Sequence, residues 1–485
     1  MDNVYNQLNL KNKSDPIITT ADKSFDAEEL ALKYLARAYK KIKEKIIKRI
    51  GTKDKKLEEY VSSIIEKTEA KMKQVYTLDP PIDTGHYFVE SAQTDFIDWL
   101  MRIWSIPLYQ SLGDTIGYRN GDWEFNHGEK EAGPEYANEM IGEFIHLGGI
   151  NGLSIANWIA SDDTLFYMET FVTLMQKLPS IQDYGSLLKQ NYLRAWPQME
   201  NRAPGRRTAQ SIQIQQNPNF KWDQLPYDPT AIGNGSAMRT GCVGIFYPGK
   251  SNRKKLIALA TEASRITHNS AIAILGSITT ALFTAYAIER VPIAHWPHRL
   301  LKFLDSGKID LYVEKSRPLE AKMFTRDKSL YRSRWQSYVN FRFAGASLVP
   351  RMDKPIMQKP VERIRYLSQS YSANQKNPGS CADDACIIAY DSLLESGDNL
   401  EKLLVYSILH NGDSDTVGSI AFSWFGAYYY SKSNDALAES RFKQLEFYKV
   451  IGAKNSIATR TKLFKVYYYD LYVHYARKFI KRIPI

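Results

Sequence analysis

Cysteine is scarce in this chain: Cys242, Cys381 and Cys386 are the only three among 485 residues. An odd number this small builds no disulfide framework, so a reducing compartment is expected, cytoplasmic with the nucleus left open. Residues 1–15 are polar and lack an apolar stretch, so no secretory signal is expected. No run of alternating apolar and polar residues is long enough for a sheet. There is no repeat of fixed period and no low-complexity tract. Only one long stretch lacks charge, Ala271 to Ile288. Its length reaches that of a membrane span. Gly276, Ser277, Thr279, Thr280 and Thr284 within it favour a buried core helix and no membrane.

What the chain does have is helical periodicity. Hydrophobic residues make up 44% and charged residues 24%, as in a soluble globular protein able to bury a large core. The length gives a soft prior of about three domains. Ala31, Leu35, Ala38, Ile42 and Ile46 lie on one helix face, and Leu57, Val61, Ile64, Met72 and Val75 on another. Gly51 and Asp54 punctuate them. The spacing predicts a polar, disordered tail over 1–25, then a basic helical hairpin over 26–90 that includes a Pro- and Asp-rich linker at 78–84. From about 94 it predicts helices near 95–111, 136–146, 162–177, 254–266, 270–289, 381–395, 399–408 and 416–430. Loops fill the rest, especially 196–235. The expected class is all-α, with a main domain over 95–455 and a basic aromatic helix over 456–485.

The net charge of +11 sits at the two ends. Residues 33–73 carry 14 Lys or Arg against 6 acids, and 460–482 carry 7 against 1. Tyr467, Tyr468, Tyr469, Tyr472 and Tyr475 interleave the second stretch. Contact with nucleic acid or an acidic partner is one reading. A solvated face over a buried aromatic stripe is the preferred one.

Two helix starts are acidic: Ser161-Asp162-Asp163-Thr164, and Asn411-Gly412-Asp413-Ser414-Asp415-Thr416. Each alone reads as capping, since Ser and Asp satisfy free N–H groups and suit the helix dipole. If the two starts meet, four carboxylates share one place, where they repel and lose hydration. A hard divalent cation such as Mg²⁺ relieves this, because it binds carboxylates, hydroxyls and water. Three further clusters stand out. Gly113-Asp114-Thr115-Ile116-Gly117-Tyr118 closes a helix and runs on to Trp123-Glu124-Phe125. The loop Gly233-Asn234-Gly235-Ser236-Ala237-Met238-Arg239 allows close backbone approach to a phosphate. Thr267-His268 precedes the apolar helix.

In order and spacing, GDTIGYRNGDWEF (113–125), SDDT (161–164), RAPG (202–205), GNGSAMR (233–239), TH (267–268), DDACIIAYD (383–391) and GDSDT (412–416) resemble the ADP-ribosylglycohydrolase family, nearest to its arginine-specific branch. The resemblance covers about 95–455. It implies an all-α fold with two Mg²⁺ ions at the base of an ADP-ribose cleft. The implied metal ligands are Ser161, Asp162, Asp163, Asp413, Asp415 and Thr416, with Asp415 bridging. Gly233, Asn234, Gly235, Ser236, Ala237 and Met238 correspond to the diphosphate loop, and His268 to a ribose contact. Arg202 to Gly205 correspond to a cleft loop, both ends of which are expected to touch substrate. Asn411, Asn269-Ser270-Ala271 and Asp383 depart from the family pattern, along the cleft wall.

The implied activity is hydrolysis of the bond between ADP-ribose and arginine on ADP-ribosylated proteins. Asp163 is expected to orient or deprotonate the attacking water, with Glu124 as alternative acid or base. Serine-linked, poly- or O-acetyl-ADP-ribose are the competing substrates. An inactive ADP-ribose-binding protein is the competitor from another class.

Overall fold

The structure, a computed structural model, describes residues 87–458 apart from 126–133, 177, 345–346, 352–358, 375–376 and 431–435. The expected tail, nearly all of the hairpin and the C-terminal helix beyond Ala458 lie outside the described residues. The chain divides into two units, Met1–Ile97 and Asp98–Ile485. Of the first, only the backbone of Tyr87–Ile97 is described, as the opening of helix α1 (Tyr87–Tyr118).

The second unit is helical, as its periodicity predicts. After α1 come α2 (Asp162–Met175), α3 (Ile181–Ala195), α4 (Arg206–Gln215), α5 (Ala237–Phe246), α6 (Arg253–Arg265) and α7 (Ala271–Ile288). Then follow α8 (Ala321–Arg342), α9 (Pro360–Tyr371), α10 (Ala382–Ser396) and α11 (Ser414–Tyr429), with further helices between, Pro134–His146 among them. Among the described residues the only β pairing is two isolated bridges, Gly233 with Cys381 and Phe343 with Pro350.

Several of these helices lie where loops are expected. Helix α4 falls inside 196–235 because its inward face is polar except for Ile212. Ser211 Oγ donates to the Thr267 carbonyl at 2.8 Å and Gln215 Nε2 to that of Ile266 at 3.1 Å. Hydrophobic spacing cannot find such a helix. Helix α8 carries charge on all sides, and its buried face includes Asp327 and Arg342 beside Tyr331, Trp335 and Tyr338. Ala237 and Met238, expected in a loop, open helix α5.

The uncharged run becomes α7, whose residues are all buried inside the protein. Ser270 starts it by accepting the Ala273 N–H at 3.2 Å. Phe283 of α7 gathers four rings around it. Trp296, Trp424, Trp335 and Tyr390 have centroids at 5.2, 5.3, 5.6 and 5.6 Å. Such pairs add roughly 0.5–1.5 kcal/mol each to the gain from burial. They lock α7, α8, α10 and α11 together. A buried polar staple adds to this. Asp391 of α10 accepts from Tyr338 Oη at 2.7 Å, Arg342 Nε at 3.0 Å and Arg363 Nε at 2.7 Å. Burial pushes this carboxyl up, but Arg363 and Arg342 outweigh it and hold it below the usual range.

Candidate metal centre and ligand cleft

Helices α1 and α11 touch backbone to backbone. A Cβ at Gly113 would lie 2.4 Å from the Gly418 carbonyl oxygen, and one at Gly117 would lie 2.4 Å from that of Ser414. Only glycine permits this approach. It sets Asp114, between the two glycines, near the start of α11.

Asp114 also holds the start of α2. Its Oδ1 accepts the Ser161 N–H at 3.1 Å, and its Oδ2 accepts the Thr164 N–H at 3.1 Å and the Thr164 hydroxyl. Ser161 Oγ caps the Asp163 N–H at 3.1 Å, and the Arg202 carbonyl takes the Asp162 N–H at 3.1 Å. The free donors of this first turn are therefore satisfied without either neighbouring aspartate. Asp162 and Asp163 do not cap this turn. Asp413 likewise makes no capping bond at the start of α11.

The two acidic starts meet. Asp163 accepts from Thr416 Oγ1 at 3.2 Å and from Ser419 Oγ at 2.8 Å. Carboxylate oxygens of Glu124, Asp413 and Asp415 lie within 4.8 Å of one another. The Phe125 N–H donates to the Gly412 carbonyl at 3.0 Å and pins Glu124 in place. All these carboxylates are buried.

Burial is the first cause that raises each carboxyl, and like charge the next. It pushes Asp114 up to about 7, with Asp415 adding to it, and Asp413 up to about 6. Asp162, Asp163 and Asp415 are held well above the carboxylate range, with Arg239 opposing the shift at Asp162. After burial, the largest influences on Glu124 are Asp415, Asp413, Asp162 and Asp163. The carboxylates of Glu124, Asp162, Asp163, Asp413 and Asp415 and the hydroxyls of Ser161 and Thr416 are the donor set of a hard divalent cation. The residues present fit Mg²⁺.

Beside this cluster lies the glycine loop. The Asn234 N–H donates to the Ser380 carbonyl at 3.2 Å and Asn234 Nδ2 to that of Gly379 at 2.6 Å. The Asp413 N–H bonds the Pro378 carbonyl at 2.8 Å. Segment 378–380 thereby ties the glycine loop to the acidic knot. Arg239, fully buried, donates to the Gly235 and Ala263 carbonyls at 2.7 and 2.8 Å and to Thr267 Oγ1 at 2.6 Å. Its guanidinium lies 4.8 Å from the Tyr192 ring centroid. A Cβ at Gly235 would stand 2.9 Å from His268 Cε1, so the imidazole lines the same loop.

The 202–205 loop behaves differently from expectation. The Arg202 guanidinium pairs with both oxygens of Glu446, at 2.7 and 2.9 Å, rather than pointing free toward a ligand. Arg202 acts on the site through its carbonyl, on the Asp162 N–H. Gly205 is exposed and opens α4. Asn201 and Ala203 flank Arg202 in left-handed backbone, with φ of 60° and 50°. For alanine this conformation costs roughly 1 kcal/mol, strain of the kind that gathers at functional loops.

Sequence reasoning assigned no role to Asp114, Arg239, Thr267 or Ser419. Three of them lie inside motifs already quoted, but only the fold shows what they touch.

Residues 108–456 match the family model described as ADP-ribosylglycohydrolase. A protein of Acanthamoeba polyphaga mimivirus, assigned by name to the ADP-ribosyl glycohydrolases, is 47% identical over 436 residues, or 87% of this chain and 83% of its own. ADP-ribosylhydrolase ARH1 of Dictyostelium discoideum is 30% identical over 366 residues, or 71% of this chain and 90% of its own. A solved structure of an ADP-ribosylglycohydrolase-related protein complex covers 76% of this chain and 99% of its own, at 17% identity and a TM-score of 0.46.

Proposed function

The chain belongs to the ADP-ribosylglycohydrolase family, and we propose that it releases ADP-ribose from arginine side chains of ADP-ribosylated proteins by hydrolysing the N-glycosidic bond. The observation that carries this reading is the contact of Asp163 with Thr416 and Ser419, which joins the two acidic knots beside the glycine loop. The 30% identity to a relative named ARH1 and the sequence likeness of RAPG and GYRNGDWEF to the arginine-specific branch support arginine as leaving group.

Ser161, Asp162, Asp163, Asp413, Asp415 and Thr416 would hold the metal. Two Mg²⁺ ions, when bound, supply Lewis acidity to the ribose hydroxyls and to water. Asp163, gripped by two hydroxyls, orients the attacking water and takes its proton. Glu124 is the alternative acid or base. Positive charge on the ribose in an oxocarbenium-like transition state is stabilised by the surrounding carboxylates. The loop Gly233–Ser236 runs through a 3-10 turn into helix α5, and its two glycines let a diphosphate approach the backbone closely. Binding energy at that remote end serves orientation at the reacting bond.

The test is a panel of purified linkages (arginine, serine, poly- and O-acetyl-ADP-ribose), each assayed with Mg²⁺ and with excess chelator. Metal-dependent release from arginine above the others is expected. Full activity in chelator, or preference for an ester or serine linkage, refutes the reading.

A further inference from the structure

His268 presses on the loop that follows Ile232. A Cβ at Gly233 would lie 3.2 Å from its Nε2, and one at Gly235 would lie 2.9 Å from its Cε1. Its backbone is fixed on both sides: its N–H donates to the Ser264 carbonyl at 2.7 Å, and its carbonyl accepts Ser264 Oγ at 2.8 Å. The ring has little freedom to turn, and the residue is only 2% exposed.

What fixes the ring proton lies behind it. Thr267 Oγ1 stands 2.8 Å from His268 Nδ1 and 2.6 Å from Arg239 Nη2. A guanidinium has donors only and keeps its charge, so it gives a proton to Thr267 Oγ1. The hydroxyl keeps one lone pair and its own proton, and among the described residues Nδ1 is the one other group within its reach. A proton on Nδ1 would leave the hydroxyl proton without an acceptor there, so the arrangement favours a bare Nδ1 with the ring proton on Nε2. Among the described residues, Nε2 has no hydrogen-bond partner. Burial, reinforced by Arg239 and Arg207, drives the imidazole well below its ordinary value, so the ring stays neutral.

We propose that Thr267 is a positioning residue: relaying the charge of Arg239, it fixes His268 as an Nε2–H donor aimed at the Gly233–Gly235 loop, ready for an acceptor oxygen of the ADP-ribose moiety. The inference deepens the proposed function and rests on it for the identity of the ligand. An Nε2–H with no partner among the described residues is a donor available to an acceptor oxygen of the ligand. The same relay also fixes the loop, since Arg239 holds the Gly235 carbonyl as well as Thr267.

The test uses the full chain in Mg²⁺, with ¹⁵N-labelled histidine and ADP-ribose as the probe. NMR of the ring nitrogens, assigned with His268→Gln, is expected to show a protonated Nε2 and a bare Nδ1 on His268. Thr267→Val, nearly isosteric but without the hydroxyl, should mix the two tautomers and weaken ADP-ribose binding about tenfold by calorimetry. Thr267→Ser should restore both. A purely structural role for Thr267 would lower thermal stability without moving the tautomer. A protonated Nδ1 in the unsubstituted chain overturns the relay, and so does a Thr267→Val chain with unchanged tautomer and affinity. Failure of the unsubstituted chain to bind ADP-ribose overturns the ligand assignment together with the proposed function, while the tautomer measurement still decides the relay.

Discussion

Ser419 Oγ donates to Asp163 Oδ2 at 2.8 Å, across 256 residues of chain. With Thr416 Oγ1 on the other oxygen, it fixes the plane of the carboxylate. Ser419→Ala removes one of the two restraints. The expected outcome is a fall in kcat of about tenfold with KM little changed, since orientation of the attacking water is a transition-state matter. Steady-state kinetics on ADP-ribosylated arginine checks it. The same variant should lose only about 1 kcal/mol of stability, read by urea unfolding.

Metal binding should appear as stability. Mg²⁺ at about 100 times its Kd adds roughly 2.7 kcal/mol to the folded state. Differential scanning fluorimetry should show a rise of a few degrees in Tm with Mg²⁺, reversed by chelator. Asp415→Asn should abolish both this rise and turnover while the chain stays folded. An unaltered Mg²⁺ response in that variant removes Asp415 from the metal site.

The contact of α1 with α11 is expected to be intolerant of a single methyl group. In Gly117→Ala the new Cβ meets the Ser414 carbonyl oxygen at 2.4 Å and the Asp415 Cα at 2.6 Å, both backbone atoms that cannot swing aside. A loss of about 2–3 kcal/mol is expected, together with loss of Mg²⁺ affinity as Asp415 is displaced. Gly142→Ala is the control. It lies in helix Pro134–His146, where a Cβ meets nothing within 4 Å, and should stabilise by about 0.5–1 kcal/mol.

Acid sensitivity should trace partly to His410. Its Nε2–H donates to the Ser407 carbonyl at 3.1 Å, and its Nδ1 accepts the Gly412 N–H at 3.2 Å, an arrangement that needs a neutral ring. Burial pushes this imidazole down to about 4 from 6.5. Between those values the unfolded chain binds the proton and the folded chain does not. This stability is thus fully present above pH 6.5 and lost as pH falls toward 4. By pH 5 the loss is about 2 kcal/mol. In His410→Gln the term is absent, so the stability gap between the two chains should shrink by that amount from pH 8 to pH 5. Urea unfolding at both pH values measures it.

How much of this was legible in the sequence depends on what each residue touches. Helix α7 declared itself, because eighteen uncharged residues have to be buried somewhere. The acidic knots were visible as pairs, but their meeting is a property of the Gly113 and Gly117 contact with α11, which no spacing reveals. Capping was the simpler reading of Asp162 and Asp163. It fails for the aspartates because the Arg202 carbonyl takes the Asp162 N–H, Ser161 Oγ takes that of Asp163, and Asp114, about fifty residues earlier, takes those of Ser161 and Thr164. Arg202 looked like a ligand contact and turned out to grip Glu446. Helix α4 stayed hidden because three polar residues, Thr208, Ser211 and Gln215, face inward beside a single apolar one, Ile212.

The division of labour at the start of α2 has a practical side. Structural duty falls to Asp114, Ser161 and a main-chain carbonyl, leaving the neighbouring aspartates free for chemistry. An Asp163→Asn chain should therefore be soluble, well folded and silent, and one that still grips modified proteins serves as bait to retrieve them from cells.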